Sequence, residues 1–300
     1  LLVPLLIHFL PISGQLNYCG RQTPQNRIIG GKEAPTGKWP WQVAIQNQEL
    51  TNNHLGICGG TVIADRWILT AAHCLFPNIR VNHIIYGIAK SIDTEGNNTA
   101  YAKSVIHHER YAELSTDGSD IVFYPNDIGL IELQTPLDIR HNVFPVCLPS
   151  KDTIIPREGQ VMATGFGVHN DQVGSNITKA RSETLLETLF PLIPNEICAK
   201  RQSEKFGIQT KLLDTQICGG SREHGTAPGD SGGPIVMKSE GARWFQVGIT
   251  SFGDNEDESL LQQDLVPGTY TNVKMYCDWI EEKTGGEAKC MDANLLDATH

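Results

Sequence analysis

Gly229-Asp230-Ser231-Gly232-Gly233-Pro234 is the most informative hexapeptide of this 300-residue chain. Two glycines after a serine permit a sharp turn that leaves the hydroxyl exposed, and a glycine before it lets a backbone N–H approach a reacting carbonyl. These are the requirements of a nucleophile with an oxyanion hole, and they select Ser231 as nucleophile with the N–H groups of Gly229 and Ser231 as donors. Upstream, Thr70-Ala71-Ala72-His73-Cys74 sets a histidine after a strand-like run, and Asn126-Asp127-Ile128-Gly129-Leu130 sets an aspartate at the mouth of another. Singly, each has an ordinary structural reading: a turn serine, a packed histidine, a capping aspartate. Together they supply what a serine hydroxyl needs near neutral pH, a base of pKa near 7 and a carboxylate to orient it.

Around these motifs the chain reads as all-β. Trp41, Val43 and Ile45 alternate with polar or small neighbours, as do Val247, Ile249 and Ser251, the period of half-buried strands. Apolar runs at 60–63, 67–70 and 128–133 are separated by Gly, Pro and Asn punctuation. Only Val273, Tyr276, Cys277 and Ile280 recur at helical spacing, which predicts one terminal helix over 276–283, ended by Gly285. The Pro-rich, polar stretch 145–159 is the candidate linker between two β halves.

In its Ala-Ala-His-Cys, Asp-Ile-Gly-Leu and Gly-Asp-Ser-Gly-Gly-Pro motifs, taken in that order and spacing, the chain resembles the trypsin and chymotrypsin family from about residue 28 to 283. The resemblance implies a peptidase domain over 28–284, made of two antiparallel Greek-key β-barrels packed face to face, with a C-terminal helix and a tail at 285–300. It implies a triad of His73 and Asp127 from the first barrel and Ser231 from the second, working without metal or organic cofactor. Ser251, in Thr250-Ser251-Phe252-Gly253, matches the family position that hydrogen-bonds the buried aspartate. The implied partners are protein or peptide substrates, an activating trypsin-like protease and protein protease inhibitors. A non-catalytic protease homologue that only binds a partner is the rival class, but such homologues usually lack a triad residue and here all three are present.

Arg27-Ile28-Ile29-Gly30-Gly31 resembles the family's activation junction. By that resemblance, cleavage after Arg27 separates a propeptide at 15–27, and the new, positively charged Ile28 amine inserts beside Asp230 in a buried ion pair that orders the oxyanion loop. Cys58 with Cys74 matches the family bridge beside the histidine, Cys198 with Cys218 matches one in the second half, and Cys19 with Cys147 would tether the propeptide. Cys277 and Cys290 pair by elimination, and that bridge resembles those of some arthropod secreted proteases. Two family bridges are missing with both members replaced: one at Val161 and Met237, the other at Ala227 and a residue after Gly253. The second loss unbraces the substrate pocket, and segment 254–266 is longer than the family usual, so a mobile loop is expected there. Pro228 stands where the family often has a longer polar residue.

Six residues before Ser231, where trypsin-like members carry an aspartate that binds basic side chains, this chain has Gly225. With Thr226 beside it, Ser251 behind, and Gly253 and Gly268 at the wall positions, the pocket is expected to take a large apolar or aromatic residue. A preference for Arg or Lys is the competing expectation, resting on Asp254, Glu256, Asp257 and Glu258 folding inward.

Composition sets the frame. With 40% hydrophobic and 19% charged residues the chain is an ordinary globular one, and a net charge of -10 without Lys/Arg clusters argues against nucleic acid. The apolar run 1–12, followed by Ser13 and Gly14, reads as a signal peptide over 1–14 that is incomplete at its start, and it is too short to span a membrane. Eight cysteines behind it point to an oxidising, extracellular setting, and none lies in a C-x-x-C pair, so neither a metal nor a redox site is expected. Asn97 and Asn176 are glycosylation acceptors by pattern.

Overall fold

The alternation read at Trp41, Val43 and Ile45 becomes the strand Gln42–Glu49, but Gln42 and Ala44 are buried as well, because this strand has a barrel interior on one side and a second barrel on the other. The computed structural model describes residues 19–22, 32–87, 98–139, 142–170 and 177–293.

The first sheet runs in the order Thr99–Ala100, Ile79–Tyr86, Gln42–Glu49, Leu55–Ala64, Trp67–Thr70, Gly129–Leu133, Ala102–His107, with every neighbour antiparallel. Its two edge strands are separated in sequence by Tyr101 alone, so the chain steps from one edge to the other and the sheet must curl into a barrel. The second runs Lys32–Glu33, Leu186–Ile193, Gln160–Gly165, Pro234–Lys238, Trp244–Phe252, Gly268–Asn272, Gln216–Gly219, and the last strand pairs back onto Leu186–Ile193 to close the ring. The short strand Lys32–Glu33, early in the chain, belongs to this second sheet. The expected all-β, two-barrel architecture with a C-terminal helix is therefore the one observed. One core centres on Trp41, Ile45, Ile68, Leu69 and Ile84, the other on Val161, Phe190, Met237, Phe245 and Tyr270.

The terminal helix begins as the 3-10 turn Val273–Tyr276, continues as Cys277–Lys283, and stops at Gly285 and Gly286, which adopt φ of 61° and 79°. The sequence reading missed the twelve-residue helix Asn195–Phe206. Its buried face is only Cys198 and Gln202, held by the Cys198–Cys218 disulfide and by Gln202 Nε2 donating to Thr269 Oγ1 at 2.8 Å, so no apolar stripe marks it. The caps did mark it: Pro194 precedes the helix, and Gly207 closes it at φ 67°.

All four expected disulfides form. Cys19–Cys147 docks the amino-terminal segment on the body, where Gly20 N donates to Pro145 O and Trp244 N donates to Gly20 O. Where the family bridge is missing, the register Met162↔Val236 sets Val161 opposite Met237, both fully buried, and apolar contact takes the place of the covalent bond. The segment expected to be a mobile loop instead contains the helix Asp257–Leu261 and is tied down at several points. Lys205 pairs with Asp254 and Glu256, Arg222 with Asp264, and Glu223 N donates to Leu261 O. No helix among the described residues is long and apolar enough to cross a membrane.

The barrels meet backbone to backbone. Gly59 N donates to Ser231 O at 2.7 Å, and Thr164 Oγ1 donates to Gln42 Oε1 at 2.6 Å. A methyl group on Gly59 would lie 2.7 Å from Gly233 Cα and 2.9 Å from Gly233 N, atoms that cannot swing aside. Gly59→Ala is therefore expected to cost about 1–3 kcal/mol of unfolding free energy in denaturant titrations. Gly241→Ala, whose nearest neighbour is a serine hydroxyl at 3.7 Å, serves as the near-neutral comparison.

Candidate active site

His73 leaves the strand Trp67–Thr70 in the 3-10 turn Ala72–Cys74, whose last residue is pinned by the Cys58–Cys74 disulfide. Closing that loop stabilises the fold by about 3 kcal/mol in the chain-entropy account, by restricting the unfolded chain. Asp127 precedes the strand Gly129–Leu133. It follows Asn126, which sits at φ 57° and is held there by donating its Nδ2 to Arg110 O and accepting from Tyr276 OH. The 3-10 turn leading into the C-terminal helix thus braces the aspartate from behind.

The Asp127 carboxylate is fully buried and accepts three hydrogen bonds. Oδ1 takes the His73 backbone N–H at 2.9 Å, while Oδ2 takes His73 Nδ1–H at 2.8 Å and the Ser251 hydroxyl at 2.6 Å. Thr271 Oγ1 holds the Asp127 carbonyl at 2.7 Å. Burial favours the neutral acid, but the charge and hydrogen bond of His73, with the Ser251 hydroxyl, overcome it and hold the Asp127 carboxyl below its ordinary value. For His73 burial disfavours the cation, yet Asp127 and, more weakly, Glu113 prevail and raise the imidazole above its ordinary value.

Ser231 faces His73 across a cleft of about 800 Å³ between the barrels. Its turn is fixed by Gly232 N donating to Thr250 O and Gly233 N donating to Asp230 O. Gly229 and Gly232 take φ of 103° and 78°, values that exclude a side chain, and a methyl on Gly232 would overlap Thr70 Oγ1. The N–H groups of Gly229 and Ser231 donate to no described residue.

Asp230 turns the other way. Its carboxylate accepts from Gly167 N and Ala227 N and borders a cavity of about 360 Å³ that also touches Gly165, Ser182 and Thr184. Loss of solvent around the carboxyl pushes it up to about 6, the two backbone N–H groups offsetting this only in part. Arg27 and Ile28, like Asn97, Asn176 and the signal segment, lie outside the described residues.

Of the pocket residues read from sequence, Thr226, Ser251, Gly253 and Gly268 line the cleft beside Ser231. Gly225 does not. It lines the cavity beneath, because the Gln263 side chain lies across it, and a methyl at position 225 would overlap Gln263 Oε1. The sequence reading missed Gln263, which comes from the lengthened segment and carries no local signal. It also missed an aromatic wall: Tyr124 stacks on Phe252 at 5.2 Å, and Phe123 packs on Phe252 and Phe206. Phe252 directly follows Ser251 and Tyr124 closely precedes Asp127, so both could have been found from the motifs themselves. Arg181 and Glu113, also exposed in the cleft, had no signal.

The Trypsin family model matches residues 28–280. Coagulation factor XI of Bos taurus is 32% identical over 271 residues, which cover 87% of this chain and 38% of that protein. The chain spans well under half the length of this relative. It belongs to the trypsin family of serine endopeptidases.

Ser251→Ala strips a donor from a fully buried carboxylate and is expected to cost about 1–3 kcal/mol of stability at pH 7. A carboxyl whose folded pKa is depressed stabilises the fold above its unfolded value of about 3.9 and loses that contribution as pH falls. The Ser251→Ala penalty, measured by denaturation, should accordingly shrink between pH 7 and pH 3.

Proposed function

We propose that the protein is a secreted serine endopeptidase, made as a zymogen and activated by cleavage after Arg27, that cuts internal peptide bonds after large apolar or aromatic residues through an acyl-enzyme on Ser231. The observation that carries this reading is the single hydrogen-bonded unit of His73, Asp127 and Ser251, set across a cleft from a serine on a glycine turn with two N–H groups that donate to no described residue.

With Nδ1–H given to Asp127, the lone pair of His73 Nε2 is free for the serine proton. Ser231 Oγ then bonds to the scissile carbonyl carbon as its proton moves to Nε2, and the imidazolium is stabilised by the buried carboxylate. The carbonyl oxygen, now an anion, is received by the N–H groups of Gly229 and Ser231, each such donor being worth about 3 kcal/mol. Collapse expels the amine with the proton from Nε2. Water repeats the sequence on the ester and frees Ser231. Four disulfides support an oxidising, extracellular destination.

Activation has a counterpart in the cavity beside Asp230. A carboxyl raised to about 6 is ionised near pH 7 without a described cation, and the cavity gives room for an inserted amine. Thr226, Gly253 and Gly268 support an uncharged pocket, where burying a ring or a leucine gains about 1.5–3 kcal/mol. Of the acidic residues behind the competing Arg/Lys reading, Asp254 and Glu256 are engaged by Lys205.

Ser231→Ala and His73→Ala are each expected to lower kcat by about 10⁶, with the double variant losing little more because the residues act as a unit. Additive losses in peptide-hydrolysis assays contradict this. Arg27→Gln is expected to give a folded chain that trypsin no longer switches on, and full activity in the intact single chain contradicts the zymogen reading. In that single chain the raised Asp230 carboxyl makes stability fall as pH rises from about 4 towards about 6. Asp230→Asn should abolish that fall in pH-dependent denaturation and block activation.

A further inference from the structure

Gln263 lies in the segment between Gly253 and Gly268, just after the helix Asp257–Leu261. It is 5% exposed and borders both the cleft beside Ser231 and the cavity that holds Gly225. Its Nε2 donates to Thr226 O at 2.9 Å and points to Leu260 O at 3.5 Å. Two carbonyl acceptors fix which end of the amide is nitrogen, so the other end is an acceptor. That atom, Oε1, stands where a side chain at position 225 would begin and accepts from no described residue.

The polar groups around it have partners of their own, and Asp230, on the same cavity, is held by Gly167 N and Ala227 N. Thr226 Oγ1 and Tyr270 OH lie 3.1 Å apart, one hydroxyl donating to the other. Of the nearby carboxylates, Asp254 is held by Lys205 at 2.8 Å and Ser259 at 2.6 Å, and Glu256 by Lys205 at 2.7 Å. Leu260 and Val266 add apolar wall between Gly253 and Gly268. A side chain entering from the cleft therefore meets apolar sides and ends on the Gln263 amide, whose Oε1 is buried and accepts from no described residue.

We propose that Gln263 is the specificity-determining residue of the pocket floor, and that its Oε1 selects a long uncharged side chain ending in a hydrogen-bond donor, tyrosine foremost. The inference rests on the peptidase reading of Ser231 and goes beyond it. A phenol gives the buried acceptor its partner, whereas a phenyl ring leaves it unpaired. A Lys or Arg head reaches the same atom but brings a full charge to a carboxamide, with Asp254 already engaged by Lys205 and Asp230 held by Gly167 N and Ala227 N.

The test is kcat/KM at high salt for the Arg27-cleaved protein on matched peptide amides with Tyr, Phe, O-methyltyrosine, Lys or Arg before the cut bond. Tyr should exceed Phe by about fivefold to tenfold, and O-methyltyrosine, which keeps the ring but lacks the donor, should fall with Phe or below it. Gln263→Met should bring the Tyr/Phe ratio to about one, and Gln263→Glu should raise Lys and Arg at least about tenfold relative to Tyr. If either variant does not fold, the parent series still decides. Tyr and Phe equal within about twofold, or a preference for Arg, overturns the role of Gln263, as does a Tyr/Phe ratio unchanged in Gln263→Met. In those cases labelling of Ser231 by a fluorophosphonate still upholds the peptidase reading. Failure of both labelling and hydrolysis overturns the two together.

Discussion

A carboxylate with no access to water is tolerable only if its charge is answered on every side, and Asp127 is answered from across the molecule. His73 reaches the carboxylate from the first barrel by backbone and side chain, Ser251 reaches it from the second, Thr271 holds the Asp127 backbone carbonyl, and Tyr276 from the carboxy-terminal turn fixes the residue beside it. The site exists only when both barrels and the terminal segment are in register. Folding and the assembly of the candidate catalytic unit are in this sense one event.

The nucleophile depends on the same registration through a different contact. Ser231 O accepts from Gly59 N, so the turn that presents the hydroxyl is hydrogen-bonded to the barrel that carries the histidine. Glycines at 59, 232 and 233 let the two backbones approach more closely than any side chain allows. On the far side of Ser231, Asp230 faces its own cavity, which leaves the oxyanion segment between two anchors, one already made and the other waiting for a cation in the proposed activation.

The sequence made much of this legible because the chemistry is written in short motifs. His73, Asp127 and Ser231 each sit in a local pattern whose residues have to be what they are, and the structure brings those three and Ser251 together. The helix Asn195–Phe206 escaped because a disulfide and a buried glutamine replace the apolar stripe that periodicity detects. The lengthened segment escaped for a related reason: its order comes from ion pairs and backbone bonds to residues remote in sequence, which composition reports only as an acidic run. Gly225 was read as the uncharged floor of the pocket, and a glycine shows nothing of what another segment lays over it.

The most direct measurement of the central claim is the ¹⁵N and ¹H NMR titration of the His73 ring. The account predicts a neutral ring that carries its proton on Nδ1, bonded to Asp127, with a pKa above the ordinary value of about 6.5 that falls when Asp127 is replaced by Asn. A ring protonated on Nε2 in the neutral form, or one that titrates below 6.5 and does not respond to Asp127→Asn, would contradict it.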